Sequence, residues 1–179
     1  MSKPKHILFL TWKDIRHPFA GGAEQVMHEY AKGLVDKGYR VTWFASSATG
    51  LASEETIDGI HVVRKYTRHT AWLMAWWWYR GFSKKETVDL IVDEAGGWPM
   101  MAPRFEKKIP IIFFTHHIGD AEFATYPRMI GQVARGIYRW LFQCYITTPA
   151  IAVSESTKQE LSERFGYQAS NITVITNST

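Results

Sequence analysis

Short apolar segments alternate with longer amphipathic segments along the chain. His6–Trp12 is an almost unbroken apolar run, which is typical of a strand buried on both faces of a sheet. In Ala23–Lys37 the apolar residues recur at helical spacing, and Gly38 follows where a helix often ends. The same reasoning predicts seven strands: His6–Trp12, Arg40–Ala45, Ile60–Lys65, Leu90–Glu94, Ile111–Thr115, Ala150–Val153 and Ile172–Ile175.

The segments between these strands predict helices. Thr70–Phe82 and Arg128–Tyr145 are long enough for regular helices, and Trp98-Pro99 is expected to open a short one. Ser156 and Gln159 match a capping box at the start of a helix that stops at Gly166. Alternating strands and helices predict a Rossmann-like, doubly wound α/β fold, with a mainly parallel seven-stranded sheet and helices on both faces.

Length and composition limit the classes of protein that remain. A chain of 179 residues predicts a single domain over 1–179, and one cysteine, Cys144, excludes an internal disulfide or a cysteine-based zinc site. The net charge of +4 favours an anionic partner, and nothing in the sequence points to nucleic acid. The longest apolar run, Ala71–Tyr79, is less than half of the roughly 20 residues of a spanning helix. We expect a cytoplasmic protein, and peripheral attachment to the inner face of the membrane stays open.

Two pairs of residues follow predicted strands at the edge where such sheets bind ligands. Gly21-Gly22 lies between the first strand and the first helix, where glycines let the backbone approach a phosphate. The alternative is that these glycines serve only the turn. His116-His117 ends the fifth predicted strand, and adjacent side chains on a strand point to opposite faces. Only one imidazole is therefore expected to face a ligand, and no shared metal site is predicted.

Carboxylates lie on the same rim. Asp93-Glu94 ends the fourth predicted strand, and Asp120 and Glu122 follow the histidines. They are candidates to accept hydrogen bonds from sugar hydroxyls or to act in acid–base chemistry, and solvated loop charge is the simpler interpretation. No D-x-D motif occurs, which weakens the case for a metal-dependent transfer site.

The predicted helix after residue 127 has a basic stripe. At roughly 100° per residue, Arg128, Arg135 and Arg139 fall within about 40° of one another. The opposite face carries Ile130, Val133, Ile137, Trp140 and Leu141. Such a helix can lie on anionic lipid, although a core helix with arginines on its solvated side is the interpretation that the pattern favours.

Four consecutive aromatic residues, Trp76, Trp77, Trp78 and Tyr79, occupy every side of another predicted helix. Some of these rings must therefore be exposed or face a partner. Insertion at a membrane interface and an oligomer contact both fit this cluster.

Four segments occur in an order that resembles the N-terminal half of the GT-B glycosyltransferases of retaining family 4. They are AGGAEQVMHEYAKGLVDKGYRVTWFAS, VDLIVDEAGGWP, IPIIFFTHHIGDAEF and IAVSESTKQELSERFGYQASNITVITN, which begin at Ala20, Val88, Ile109 and Ile151. The resemblance runs from the first predicted strand to the end of the chain. It implies one half of a GT-B fold and an enzyme that moves a sugar from a UDP- or GDP-sugar to a hydroxyl acceptor, either a glycan or a lipid-linked molecule.

The resemblance also implies roles for particular residues. Gly21 and Gly22 would approach the diphosphate of the donor, and His116 would lie beside the transferred sugar and help to position it. The residues implied on the acceptor side are Glu94, His117, Glu122 and Ser154. The family that the chain resembles needs no metal and no cofactor besides the nucleotide-sugar co-substrate.

In that family a second, C-terminal domain carries most of the nucleotide contacts. We therefore expect this chain to be the N-terminal, acceptor-side half, which needs the missing domain in cis or in trans and is inactive alone. The origin of such a half stays open: an excised domain, a truncated product or a split subunit.

Two other functions are compatible with parts of the sequence. A non-catalytic module for a membrane surface or a partner protein fits the tryptophans and the arginine stripe. A nicotinamide-dependent oxidoreductase is disfavoured, because G-x-G-x-x-G is missing and Ala45-Ser46-Ser47 offers no acidic residue after the second strand.

Overall fold

The computed structural model describes residues 5–176, apart from the side chains of 120–122. The strands are β1 (His6–Leu10), β2 (Arg40–Ala45), β3 (Glu54–Ile57), β4 (Ile60–Arg64), β5 (Leu90–Glu94), β6 (Ile111–Thr115), β7 (Ala150–Ala152) and β8 (Ile172–Val174). The helices are α1 (Gly22–Asp36), α2 (Ala71–Phe82), α3 (Ala102–Phe105), α4 (Arg128–Gln143) and α5 (Glu155–Phe165).

The strands form one sheet in the order β3-β4-β2-β1-β5-β6-β7-β8. All neighbouring strands are parallel except β3 and β4, so the predicted mainly parallel α/β sheet is confirmed. The predicted number of seven strands is wrong, because the sheet has eight. The missed strand, β3, is short and mostly polar, and it pairs with β4 through a turn at Asp58 and Gly59, both at positive φ.

Two predicted helix starts are also wrong. The short helix begins at Ala102 and not at Trp98-Pro99, because Asp93 accepts hydrogen bonds from the amides of Met100 (3.0 Å) and Ala102 (2.9 Å). These bonds hold the intervening chain as a loop. Helix α5 is capped by Ser154, whose Oγ accepts from the Thr157 amide, and not by Ser156.

The two faces of the sheet are covered unevenly. Met27 and Ala31 of α1 pack on one face, whereas α2, α3, α4 and α5 contribute to the two core clusters of the other. Helices on both faces are therefore confirmed. Beside α1 the sheet leaves an apolar groove of about 340 Å³, which Ile112, Phe114 and Ile151 help to line.

A buried ion pair joins the loop after β1 to the end of β4. The Arg64 guanidinium donates from Nε to Asp14 Oδ2 (2.6 Å) and from Nη2 to Asp14 Oδ1 (2.7 Å), and both side chains are fully buried. Arg64 also donates to the carbonyl of Ala52 (3.0 Å) and to Glu55 in β3. This pair fixes the loop that leads to Gly21, and no sequence motif predicts it.

Candidate active site

The N-terminus of α1 lies at the carboxyl edge of the sheet and presents backbone amides. The Gln25 amide donates to the Gly21 carbonyl at 3.1 Å, so the preceding amides of Gly22, Ala23 and Glu24 come before the first bond of the helical ladder. A Cβ on Gly22 would meet nothing within 4 Å, and one on Gly21 would meet only Glu24 Oε2 at 3.9 Å. The fold therefore does not require glycine at these positions, and the space beside the backbone is open to a ligand.

A lysine and a glutamate lie at this helix start. Glu24 Oε2 accepts from the Gly21 amide at 2.7 Å, and Oε1 pairs with Lys13 Nζ at 3.0 Å. Lys13 also donates to the Phe19 carbonyl at 2.9 Å and lies over the ring of Trp12. Neither residue was predicted from the sequence, although a glutamate three positions after a helix cap is a recognised signal.

Glu94 ends β5 as a buried carboxyl group. Burial raises its pKa to about 8, the nearby charge of Glu24 adds to the rise, and Lys13 opposes it. Within the part of the chain that the structure describes, Glu94 Oε1 has no hydrogen-bond partner. A Cβ on Gly96 would lie 2.5 Å from this oxygen, so the glycine leaves room for the carboxyl group. Glu94 is accordingly protonated near pH 7 and can donate a hydrogen bond.

His116 follows β6 and is buried against the ring of Phe114, with 4.9 Å between centroids. The pKa of His116 is lowered to about 4, mainly by burial and in addition by the nearby His117 and Lys13. Among the described residues, nothing is hydrogen-bonded to its Nε2 atom. The site therefore holds a neutral imidazole with a free ring nitrogen.

His117 lies in a different environment from that of His116. It is exposed and lines a cleft of about 240 Å³, which we call the aromatic cleft. Residues that line this cleft include Trp12, Trp72, Gly97, Trp98, His117, Tyr126 and Tyr138.

The aromatic rings that line the cleft pack against one another. Trp72 stacks on Trp98 at 5.2 Å, and Trp98 meets Tyr138 edge to face at 5.8 Å. Arg68 and His69 add polar groups to the lining. Apolar ring faces with a few polar groups are typical of small-molecule sites.

Ser154 and Glu122 are two of the predicted acceptor-side residues. Ser154 Oγ accepts from the Thr157 amide at 3.1 Å, which caps α5. Thr157 Oγ1 in turn donates to the His116 carbonyl at 3.5 Å, so the cap is linked to the histidine. Glu122 lies outside the residues whose side chains are described. A role in acceptor binding remains a prediction for both.

The interpretation of α4 as a core helix with an outward arginine side is wrong for most of its apolar face. Leu141 is buried, but Ile130, Val133, Ile137 and Trp140 are exposed. The buried side is formed instead by residues that include Gly131, Tyr138 and Phe142.

The aromatic cluster of α2 divides between surface and core. Trp76 and Trp77 are exposed, as expected for some of the rings. Trp78 is buried between Phe44 and Phe82, at centroid distances of 4.5 and 4.7 Å, so it cannot contact a membrane.

In the described part of the chain, no three histidine, cysteine or acidic side chains come together as a metal site would require. None of the helices described there has the length and apolarity needed to cross a bilayer.

The raised pKa of Glu94 predicts a pH dependence of stability. The folded state keeps a proton up to about pH 8, whereas the unfolded chain releases it near pH 4.3, so stability falls as the pH rises between these values. Glu94 alone should lower the free energy of unfolding by about 1.4 kcal/mol for each pH unit in this range. We expect Glu94→Gln to remove this loss, measured by urea unfolding from pH 5 to pH 8.

Glu29→Gln, at an exposed carboxyl on α1, is the matched control and should keep the wild-type pH profile. Parallel profiles for the wild type and Glu94→Gln would show that Glu94 is ionised in the folded protein.

Comparison with known proteins agrees with this architecture. The chain matches the model of Glycosyltransferase Family 4 over residues 20–179. A comparison with curated proteins finds no similar sequence.

Solved structures share the fold. Sucrose-phosphate synthase from Thermosynechococcus elongatus matches with a TM-score of 0.74 and 14% identity, over 98% of this chain and 48% of that protein. A glycosyltransferase from Rickettsia africae ESF-5 matches with a TM-score of 0.62 and 18% identity, over 99% and 44%. An α,α-trehalose 6-phosphate synthase from Burkholderia multivorans matches with a TM-score of 0.51 and 13% identity, over 92% and 43%.

The chain thus spans about half the length of these structures, and at such identities the likeness establishes the fold, one half of GT-B. The family model covers most of the sequence, including the helix start at Gly21 and the histidine pair after β6. On that match, the chain belongs to glycosyltransferase family 4.

Proposed function

We propose that the chain is the N-terminal, acceptor-side half of a retaining glycosyltransferase that moves a sugar from a UDP- or GDP-sugar to a hydroxyl acceptor. The observation that carries the proposal is the open N-terminus of α1, with Lys13 beside it and the neutral His116 at the same edge of the sheet. The remaining contacts to the nucleotide would come from a second domain, in cis or in trans.

The start of α1 suits the donor diphosphate. The amides of Gly22 and Ala23 carry the partial positive charge of the helix N-terminus, and the open space at Gly22 lets an anion approach the backbone. Lys13 adds a full positive charge, and Glu24 holds it in place. Charge that develops on the leaving diphosphate would be stabilised by these fixed groups without reorganisation.

His116 and Glu94 suit the transferred sugar. A neutral imidazole can either donate to or accept from a sugar hydroxyl, and its Nε2 is free to do so. Glu94, protonated near neutral pH, can donate to a hydroxyl or an ether oxygen. A buried polar atom that lacks a protein partner is costly unless a ligand satisfies it, which favours both atoms as ligand contacts.

The aromatic cleft suits the acceptor. Its stacked Trp72 and Trp98 offer apolar faces, and His117 offers a polar group on the side opposite to His116. A glycan or the sugar of a lipid-linked molecule has both the apolar ring face and the hydroxyls that such a lining accommodates.

The test compares two glycine substitutions in the full gene product that contains this chain. Gly22→Asp places a carboxylate where the donor diphosphate is proposed to bind, and the open space and helix start tolerate it. We expect the KM for the nucleotide sugar to rise about tenfold or more, because like charges are brought together. Release of UDP or GDP from a panel of nucleotide sugars, with glycan and lipid extracts as acceptors, measures the effect.

Gly33→Asp is the matched control, because a Cβ there also meets open space and the residue lies later in the same helix. It should leave the KM for the donor unchanged. Equal effects of the two variants would contradict diphosphate binding at α1, and the absence of release from every nucleotide sugar would contradict the proposed reaction.

A further inference from the structure

Helix α4 exposes a contiguous apolar surface. This apolar stripe consists of Met129, Ile130, Val133, Ile137 and Trp140, with Met129 80% and Val133 63% exposed. At roughly 100° per residue the five side chains fall within an arc of about 100°. Single exposed apolar residues are ordinary, but a continuous stripe of this size marks an interaction site.

Helix α2 adds exposed aromatic residues on the same side of the protein. Trp76 and Trp77 are exposed, and the Arg80 guanidinium lies over the Trp76 ring at 5.8 Å from its centroid. Leu73 is also exposed on this helix. Both α2 and α4 therefore present apolar groups to solvent.

Helix α3 connects the two. The ring of Tyr79 in α2 contacts that of Phe105 in α3 at 5.2 Å. Arg104 in α3 lies over the Trp140 ring of α4 at 4.8 Å. Helices α2, α3 and α4 are therefore neighbours, and we call the surface made by their outward sides the docking face.

The two long helices of this face, α2 and α4, carry charges of one sign, whereas Glu106 ends α3. Helices α2 and α4 contain four arginines (Arg80, Arg128, Arg135 and Arg139) and no acidic residue. Helix α1, on the opposite face of the sheet, has three acidic residues and one lysine, and α5 has three acidic and two basic residues. The positive charge is therefore concentrated where the apolar groups are exposed.

The cations flank the apolar stripe on both sides. Arg139 Nη2 donates to the Arg164 carbonyl of α5 at 2.9 Å, which places the arginines of α4 on its α5 side. Trp140 lies beneath Arg104, which places the apolar stripe on the α3 side of α4. Lys107 and Lys108 follow α3 and are exposed.

We propose that the docking face binds the surface of an anionic phospholipid membrane. Helix α4 would lie in the plane of the interface, with the apolar stripe among the acyl chains and the arginines at the headgroups. Trp76, Trp77 and Trp140 have the ring type that is enriched at membrane–water interfaces. Charge complementarity selects lipid phosphate as the partner, because an apolar centre with cations at both margins matches an anionic bilayer.

The aromatic cleft lies between two helices of the docking face. Trp72 of α2 and Tyr138 of α4 both line that cleft, so the two helices of the docking face are also its walls. The membrane proposal rests on the surface alone and does not depend on the proposed reaction.

Flotation with vesicles tests the proposal on the 179-residue chain. We expect the wild type to float with vesicles of phosphatidylglycerol and phosphatidylcholine, and to remain unbound with phosphatidylcholine alone. Arg135→Glu plus Arg139→Glu should lower the bound fraction about tenfold or more, since each basic residue contributes separately to binding anionic lipid. Val133→Ser plus Ile137→Ser should lower it without a change of charge, because exposed apolar area is lost.

Lys32→Glu plus Lys37→Glu is the control, with the same change of charge at exposed positions on the α1 side. It should bind as the wild type does, and thermal unfolding checks that every variant is folded. Failure of the wild type to float with anionic vesicles would overturn the proposal. So would a dimer in gel filtration that Val133→Ser plus Ile137→Ser abolishes in the absence of flotation, because a second copy would then cover the face.

Discussion

Arg64→Met is expected to lower the free energy of unfolding by about 3–5 kcal/mol. The substitution removes the guanidinium that donates two hydrogen bonds to Asp14 and leaves that carboxylate buried without its partner. It also removes the side-chain donor to the Ala52 carbonyl, one of the two bonds by which residue 64 holds the chain before β3; the bond from its own amide to the Ser53 carbonyl stays. Urea unfolding monitored by tryptophan fluorescence at pH 7 measures the loss.

Arg16→Met is the matched control. Arg16 pairs with Glu55, to which Arg64 also donates, but its own side chain is 56% exposed. Exposed pairs contribute little, so we expect a loss below about 1 kcal/mol. Arg64→Met combined with Asp14→Asn should recover part of the loss, because the unpaired charge is then gone. Equal losses for Arg64→Met and Arg16→Met would show that burial of the pair does not govern its strength.

The parts of the fold that could be predicted are those in which consecutive residues are all buried and therefore apolar. The central strands are buried on both faces, so the apolar runs at His6–Leu10 and Ile111–Thr115 mark them in the sequence. Strand β3 lies at the sheet edge, and most of its residues are polar and at least partly exposed. It is held in place by its turn and by Arg64. Nothing in its apolar pattern could reveal it.

Helix α4 shows the limit of periodicity. Its amphipathic pattern was correctly recognised, but the pattern does not say which side packs on the sheet. Gly131 and Tyr138 lie on the buried side, and a Cβ on Gly131 would come within 2.4 Å of the Phe123 carbonyl oxygen, so only glycine fits there. Of the apolar residues that periodicity assigned to the core, Leu141 is buried, whereas Ile130, Val133, Ile137 and Trp140 are displaced from this arc and exposed to solvent.

The candidate site was predictable in its local motifs and not in its long-range contacts. Gly21-Gly22 and the pair His116-His117 could be located as candidates because each pair follows a strand at the ligand-binding edge. Lys13 acquires its meaning only through Glu24, eleven positions later, when the loop folds back on α1. The different environments of His116 and His117 follow from strand alternation, but only the structure shows which one is buried.

Substitutions of the two histidines should therefore have different kinetic effects in the full gene product. His116→Ala is expected to lower kcat about 10²-fold or more, because its free Nε2 is proposed to contact the transferred sugar. His117→Ala, in the aromatic cleft, should mainly raise the KM for the acceptor. Initial rates at varied donor and acceptor concentrations distinguish the two effects.

The pH profile of kcat and a conservative variant give further tests of the proposed contact between His116 and the transferred sugar. Because burial lowers the pKa of His116 to about 4, its imidazole stays neutral and kcat should show no inflection near pH 6.5 from this residue. His116→Gln retains a hydrogen-bonding group in a similar volume and should recover part of the rate that His116→Ala loses. A larger fall in kcat for His117→Ala than for His116→Ala would move the sugar contact to the other face of the strand, into the aromatic cleft.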